Sequence, residues 1–433
     1  MHDGSVLRQG LASAAAQCRR IAAAVALIVG AREAAADPQR PLVTLRGWEL
    51  SVTGYAQVDG VAYSQESENE IDPATGATLN EYRVYVPRAR VRFDARRDAW
   101  GVTLEFDGNT LAGTPEARLL GAAVSWTGPA RAGIPLVAVT AGLIKIPFGA
   151  DVPAPERDKP FLEQPAISRA LFPLNYDAGV MAAGGYGMAR WSVAVMNGSP
   201  VADGQWHGTD PTSSFDVIGR LGAVVDAPDH WRVEAGVSGL TGQGLHAGTQ
   251  PTKDQLQWVD ENMDGIVQTT ELQVIPGQPG EPSQTFHRNA VGADVQVHWC
   301  LCGLGNGTAF AEGALATNLD RGLVYADPIA RARDLRELGY AIGVVQDLGA
   351  HGQAGVRWDW YDADRDANEV EGATTVGTHE VFSQLSIMGA VRWRDVRLMA
   401  QFDVARNPFG RADSGAPASL AADKLTLRAQ VGF

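Results

Sequence analysis

From Trp48 to Phe433 the chain repeats one pattern, and that pattern limits its fold more than any other feature. Apolar and polar residues alternate with a period of two, in stretches of roughly 10 residues. Leu50, Val52, Ala56 and Val58 alternate with Ser51, Thr53, Gln57 and Asp59. Trp100, Val102, Leu104 and Phe106 alternate with Thr103, Glu105 and Asp107. The same holds for Val291–Trp299, Ala354–Trp360, Leu385–Trp393, Leu398–Val404 and Leu425–Phe433. Strands of this kind have one face suited to an apolar medium and one suited to water.

Three features separate the pattern from a water-soluble β-sandwich. Trp and Phe cluster near the ends of the apolar faces, as an aromatic girdle requires. Short connections (Arg96–Ala99, Trp393–Val396) contrast with long polar ones (Gln65–Asn80, Thr241–Pro282, Tyr361–Thr378), the asymmetry of membrane barrels. The last strand ends on Phe433, which suits closure of a sheet that cannot leave a free edge in lipid. After residue 40 no apolar run reaches the roughly 18–20 residues of a membrane helix, and barrel strands escape such scans. The expected fold is all-β: a transmembrane antiparallel barrel over residues 37–433, of about 16 strands, with 14 or 18 also compatible.

Residues 1–36 read as a secretory signal peptide. Arg19 and Arg20 precede the apolar run Ile21–Ala31, and Ala34-Ala35-Ala36 supplies small residues before Asp37. Cys18 precedes the apolar run, the wrong place for a lipid anchor. Cys300 and Cys302 remain in the exported chain and read as structural thiols at a strand end. The net charge of −14 becomes −16 without the signal, which excludes nucleic-acid binding by bulk charge.

The connection after Lys145-Ile-Pro-Phe-Gly149 is the most informative. It is Pro-rich, dense in charge and far longer than the usual 2–5 residues of a β-connection. Residues 149–173 are expected to fold inward and narrow a pore. Arg88, Arg90 and Arg92 alternate with Ala89, Val91 and Phe93. Alternate positions lie roughly 7 Å apart on one face, so the arginines span roughly 13 Å. A charge facing lipid costs about 2–4 kcal/mol at mid-bilayer, so these point into the lumen. There they either pass anions along or pair with acidic loop residues.

Several segments resemble the phosphate-selective porin (porin O and P) family of bacterial outer membranes. They are Pro87–Phe93, Gly142–Gly149, Phe161-Leu-Glu163 with Arg169, Asp177–Val180 and Met196-Asn-Gly198. The likeness covers about residues 48–200; the remainder agrees through strand texture. It implies a 16-stranded barrel, a homotrimer in outer-membrane lipid, an inward third loop, and basic pore residues that pass phosphate or related small anions. The motif places Lys145 at the pore. Arg157, Lys159 and Arg169 lie within the loop, beside Asp151, Glu156, Asp158 and Glu163, and both signs together set a transverse field.

The long segment 241–283 carries a second motif. Asp260-Glu-Asn-Met-Asp-Gly-Ile-Val-Gln-Thr-Thr-Glu271 fits the spacing of an EF-hand calcium loop. Asp260, Asn262 and Asp264 supply oxygens at positions 1, 3 and 5, Ile266 a backbone carbonyl, Gln268 a carbonyl or a water, and Glu271 a bidentate carboxylate. A bound Ca2+ would order an extracellular loop whose carboxylates otherwise repel. Asp362-Ala-Asp-Arg-Asp366 imitates only the start of such a motif. The chain has no His pair at metal spacing, no Gly-x-Ser-x-Gly and no phosphate loop, so no catalytic residue and no organic cofactor is expected. The reading is an outer-membrane porin for passive diffusion of small solutes, anions such as phosphate above all. The alternatives are a weakly selective porin, a barrel enzyme or adhesin acting through its loops, and a soluble exported β protein.

Overall fold

A computed structural model describes residues 41–65, 74, 82–110, 116–201, 211–227, 231–371, 374–377, 381–411 and 417–433. The signal-peptide segment 1–36 and most of Gln65–Asn80 lie outside the described residues.

Sixteen strands form the wall. The first eight are β1 (Trp48–Gln65), β2 (Ala89–Arg97), β3 (Trp100–Asn109), β4 (Glu116–Thr127), β5 (Ala138–Lys145), β6 (Tyr176–Tyr186), β7 (Ala189–Met196) and β8 (Asp216–Ala227). The others are β9 (Trp231–His246), β10 (Gln284–Leu301), β11 (Gly305–Thr317), β12 (Arg336–Leu348), β13 (Gly352–Asp362), β14 (Val381–Trp393), β15 (Val396–Arg411) and β16 (Pro417–Gly432). Each pairs antiparallel with the next. β16 pairs with β1, Tyr55 opposite Gly432, and this closes the barrel. The last residue completes the seam: Phe433 and Gly54 exchange backbone hydrogen bonds of 2.9 and 3.0 Å. Two short segments, Val43–Leu45 and Tyr82–Tyr85, pair along β1 without adding to the wall.

The pattern of burial is the reverse of a soluble protein's. Gln57, Asp59, Arg90, Asp107, Arg428 and Gln430 are buried on the inner face. Phe93, Leu104, Phe106, Val237, Val291 and Ile387 stand exposed on the outer one. Such a wall satisfies its backbone internally and offers apolar side chains to lipid. Trp100 and Trp393 flank the short turns at Asp98–Ala99 and Arg394–Asp395 and are exposed, and the Trp231 and Trp299 rings lie 5.7 Å apart at the same rim. The long connections 146–175, 247–283 and 318–335 leave from the opposite rim.

One strand departs from its expected course. The alternation predicts a strand from Tyr82 to Asp94, but pairing breaks at 86–88. Pro87 lacks the N–H a ladder needs. Arg88 therefore lies in the break, its carbonyl accepting from the Gln57 N–H at 2.9 Å.

Candidate functional site

The connection from β5 to β6 spans 146–175, slightly more than the expected 149–173, and it enters the barrel. Its apolar residues decide how it lies. Ile146, Phe148 and Val152, with Ile167, Leu171 and Phe172 on or beside helix α1 (Ala166–Leu171), bury against Met196, Ile218, Leu240, Ala290, Ala314 and Tyr361. Those partners belong to β7–β11 and β13, so that side of the lumen is sealed by apolar packing.

The turn into the lumen is made at Gly149. Its φ is +63°, a conformation that favours glycine, and an added Cβ would also run into the Glu312 carboxylate. The Gly149 N–H donates to Ser238 Oγ at 3.0 Å, and the N–H groups of Ala150 and Asp151 donate to Glu312 at 3.1 and 2.9 Å. The far side is held by the opposite wall. Arg397 donates to the carbonyls of Lys159 and Pro160, Arg428 to that of Leu162, and Arg357 to that of Glu163. Gln401 Oε1 accepts from the Leu162 N–H, and Gln430 donates to the Arg157 carbonyl. The segment thus crosses the barrel from β9 and β11 to β13, β15 and β16.

All three arginines of the 88–92 run face inward, and each is paired. Arg88 holds Glu163 at 2.8 Å and lies 3.7 Å from Glu156. Arg90 meets Asp107 at 3.2 Å and Glu105 at 3.9 Å. Arg92 meets Asp94 at 2.8 Å and keeps 45% of its side chain exposed. Lys159 is buried between Asp151 and Glu156, 3.0 Å from each. Arg169 sits on α1 with its guanidinium 5.8 Å from the Phe382 ring, and its side chain makes no hydrogen bond or ion pair among the described residues.

Lys145 and Arg157 share with Arg169 the lack of a carboxylate partner among the described residues, and differ from it in lining a cavity. Lys145 Nζ donates to the Ala154 carbonyl and lies 5.6 Å from the Tyr176 ring. Neither it nor Arg157 has a carboxylate partner among the described residues. Both line a cavity of about 260 Å³ together with Arg90, Arg92 and Tyr55, where the four cations face Glu105, Glu156 and Asp158. The Tyr55 hydroxyl there is buried without a hydrogen-bond partner among the described residues. A second cavity of about 320 Å³ has the opposite character: Asp151, Asp158, Glu163 and Glu312 outnumber Lys159 and Arg357. The crossing segment lines both, so basic and acidic surfaces border it.

The pairing sets the carboxylates of the crossing segment. Burial pushes Glu156 up, but Lys159 and Arg88 outweigh it and hold the group at about 2. Glu163 is likewise held well below the usual carboxylate range, by Arg88 and Arg428 against its desolvation.

The calcium-like segment lies elsewhere, at the tip of a hairpin formed by Gln255–Trp258 and Leu272–Ile275. Asp260 accepts from the N–H groups of Asp264 and Gly265, at 3.1 and 2.9 Å, and Gly265 has φ +70°. Asp264 accepts from the Ile266 N–H and from Gln268, and Asn262 Oδ1 from the Asp264 N–H. Glu271 does not join them: its carboxylate accepts from the Trp258 indole at 2.9 Å. Among the described residues no three His, Cys, Asp or Glu side chains are gathered as a metal cluster. Asp364 and Asp366 of the shorter imitation are taken by Arg333 and Arg336. Cys300 and Cys302 are free and exposed where β10 ends.

No protein-family model matches the chain, and no curated protein does. Solved structures do. The outer membrane channel DcaP of Acinetobacter baumannii aligns at a TM-score of 0.54 and 11% identity, over 91% of this chain and 99% of that one. Outer-membrane expressed OmpT of Vibrio cholerae aligns at 0.51 and 8% identity, over 90% and 99%. The trimer form of in-vitro folded OmpT, an outer membrane protein of the same organism, aligns at 0.50 and 9%, over 89% and 100%. At such identities the likeness establishes the fold, the closed barrel of outer-membrane channels.

Proposed function

We propose that the protein is an outer-membrane porin that passes small solutes by diffusion and favours anions. The observation that carries this is the crossing segment 146–175, with the uncommitted cations Lys145 at its start and Arg157 within it. A cation without a carboxylate partner keeps its field for a passing solute, whereas Arg88 and Arg90 spend much of theirs on Glu163 and Asp107. Arg92 adds a half-exposed charge and Arg169 a part-buried one, and Arg157 and Lys159 lie on the segment itself, Lys159 between two carboxylates. DcaP is described as an outer membrane channel and one OmpT structure as a trimer, which supports a channel role and a homotrimer in outer-membrane lipid. Single-channel recording in a planar bilayer tests the reading. Steps with a reversal potential on the anion side are expected; absence of conductance overturns it.

The pairing of Arg88 and Arg90 favours a second reading, a weakly selective porin. Phosphate is the anion to try first, from the sequence resemblance. Half-block of chloride current by submillimolar phosphate supports a phosphate preference, and simple additivity of the two currents supports the weakly selective channel.

Ca2+ binding at 260–271 is also proposed. Its donors are the oxygens of Asp260, Asn262, Asp264, Ile266 and Gln268, with Glu271 joining by leaving Trp258. All-oxygen donation suits this ion.

A further inference from the structure

The cavity of about 320 Å³ lies under the crossing segment, and the strand directions say which way it opens. β10 and β12 run from the long-loop rim to the short-turn rim, and β11 and β13 run back. Gln296, His298, Thr308, Phe310, Val345 and Gln353 line the cavity and sit toward the short-turn ends of their strands. Nearer the long-loop rim, Ala290, Ala314, Ala316 and Tyr361 pack with Ile146, Phe148, Ile167 and Leu171 of the crossing segment. The packing there leaves a gap of about 10 Å³, room for one water at most. Phe161 and Leu162 close the neighbouring wall, the first against Val345 and Met388 and the second against Ala390 and Met399. The cavity is thus a roofed recess and not a path through the barrel. It borders the basic cavity at Pro155 and Asp158, which line both.

Its wall combines aromatic and acidic surface. Phe310 lines the recess and is partly exposed, with its ring 6.3 Å from that of Phe161. The Arg357 guanidinium lies over the Phe161 ring at 4.7 Å, which leaves Phe310 as the open ring.

The cations of this wall are committed. Arg357 holds Asp359 at 2.8 Å and donates to the Glu163 carbonyl, and Lys159 lies between Asp151 and Glu156. Two of the carboxylates are not. Asp158 is exposed, and its carboxylate has no hydrogen bond or ion pair among the described residues. Glu312 accepts from two backbone N–H groups, at 3.1 and 2.9 Å, and has no ion pair among the described residues. Carboxylates without a cation, set in a partly apolar recess, favour a positive ligand and disfavour an anion. The volume is at the lower end of the roughly 300–1,000 Å³ of small-molecule sites.

We propose that this recess binds small organic cations that join one ammonium group to one aromatic ring. The ring lies on Phe310, and the ammonium lies at Asp158 and Glu312. The ligand enters from the short-turn side, the periplasmic side of an outer-membrane barrel. The site does not depend on which solute the channel passes.

Calorimetric titration of the full chain in detergent tests it. The probes are phenethylamine, ethylamine, which lacks the ring, and 2-phenylethanol, which lacks the charge. Phenethylamine should bind saturably, about tenfold tighter than ethylamine and about fivefold tighter than 2-phenylethanol. Phe310→Ala should erase the first difference, and Asp158→Asn with Glu312→Gln the second, in variants whose heat-modifiable migration on gels shows a folded barrel. No saturable binding, or equal affinity for the three probes, overturns the recess on the unsubstituted protein alone. A folded variant that keeps its preference overturns it too. Conductance is recorded without amine, so each of these results leaves the channel reading standing. Selective phenethylamine binding by a barrel without conductance does the reverse.

Discussion

Arg88 and Glu163 are 75 residues apart in sequence, and the guanidinium donates two hydrogen bonds to the carboxylate, at 2.8 and 3.3 Å. Arg428 donates a third to the same group at 3.1 Å, from the other end of the chain. The seam between β1 and β16 and the crossing segment are therefore joined at one carboxylate. Glu163→Gln leaves Arg88 with Glu156 alone, at 3.7 Å, while Arg428 keeps Asp59 at 2.7 Å. The site is a third exposed, so the cost should fall at about 1–3 kcal/mol. Equilibrium unfolding in detergent should show that loss, and single-channel conductance should rise and become noisier. An unchanged conductance would mean that Glu163 does not hold the segment in place.

The pH dependence follows from the sign of the shift at Glu156. Its folded value, about 2, lies below the ordinary 4.5, so its ionised form is favoured by folding. The contribution is fully present above about 4.5 and is lost as pH falls from there through about 2. The part of the conductance that depends on Glu156 should stay constant above about pH 4.5 and should change below it. Glu156→Gln should remove that acid-side change. An acid-side change that persists in Glu156→Gln would refute the assignment.

Much of this architecture is legible in the sequence, for a physical reason. A strand facing lipid on one side and water on the other must alternate, and the pleat turns that alternation directly into inside and outside. The inward direction of Arg88, Arg90 and Arg92 follows from it. What they touch does not, because Asp107, Glu105 and Glu163 reach them through register and through a loop. Arg357, Arg397 and Arg428 lie on polar strand faces that the alternation identifies. Nothing local marks them as the groups that hold the carbonyls of Lys159, Pro160, Leu162 and Glu163. Pro87 was the available signal for the break that displaces Arg88 from the ladder.

The calcium motif predicts a rearrangement. Glu271 must exchange the Trp258 indole for the ion, so adding Ca2+ should change tryptophan emission and protect 259–271 from proteolysis. Asp260→Ala with Glu271→Gln should abolish both effects, and chelation should reverse them in the unmutated protein. Identical spectra and digestion with calcium and with chelator would remove the site from consideration.

Selectivity should follow the cations that have no carboxylate, and not the longer run of arginines. Lys145 and Arg157 share the basic cavity with Arg90 and Arg92, but Arg90 is committed to Asp107 and Glu105. A unit charge 4 Å from a passing anion in water is worth about 1 kcal/mol, roughly fivefold in relative occupancy. Lys145→Ala and Arg157→Ala should each lower the anion-to-cation permeability ratio by up to about that factor. Arg90→Ala should do less to permeability and more to stability, since it leaves buried Asp107 with Arg118 alone, at 3.3 Å. Salt separates the two effects: exposed charges are screened beyond ~3 Å at 1 M, so the selectivity differences should shrink there while the stability difference persists. Reversal potentials across a salt gradient, taken at low and high ionic strength for the three variants, measure this. Equal losses of selectivity in all three would show that the paired arginines act on the solute as strongly as the unpaired cations.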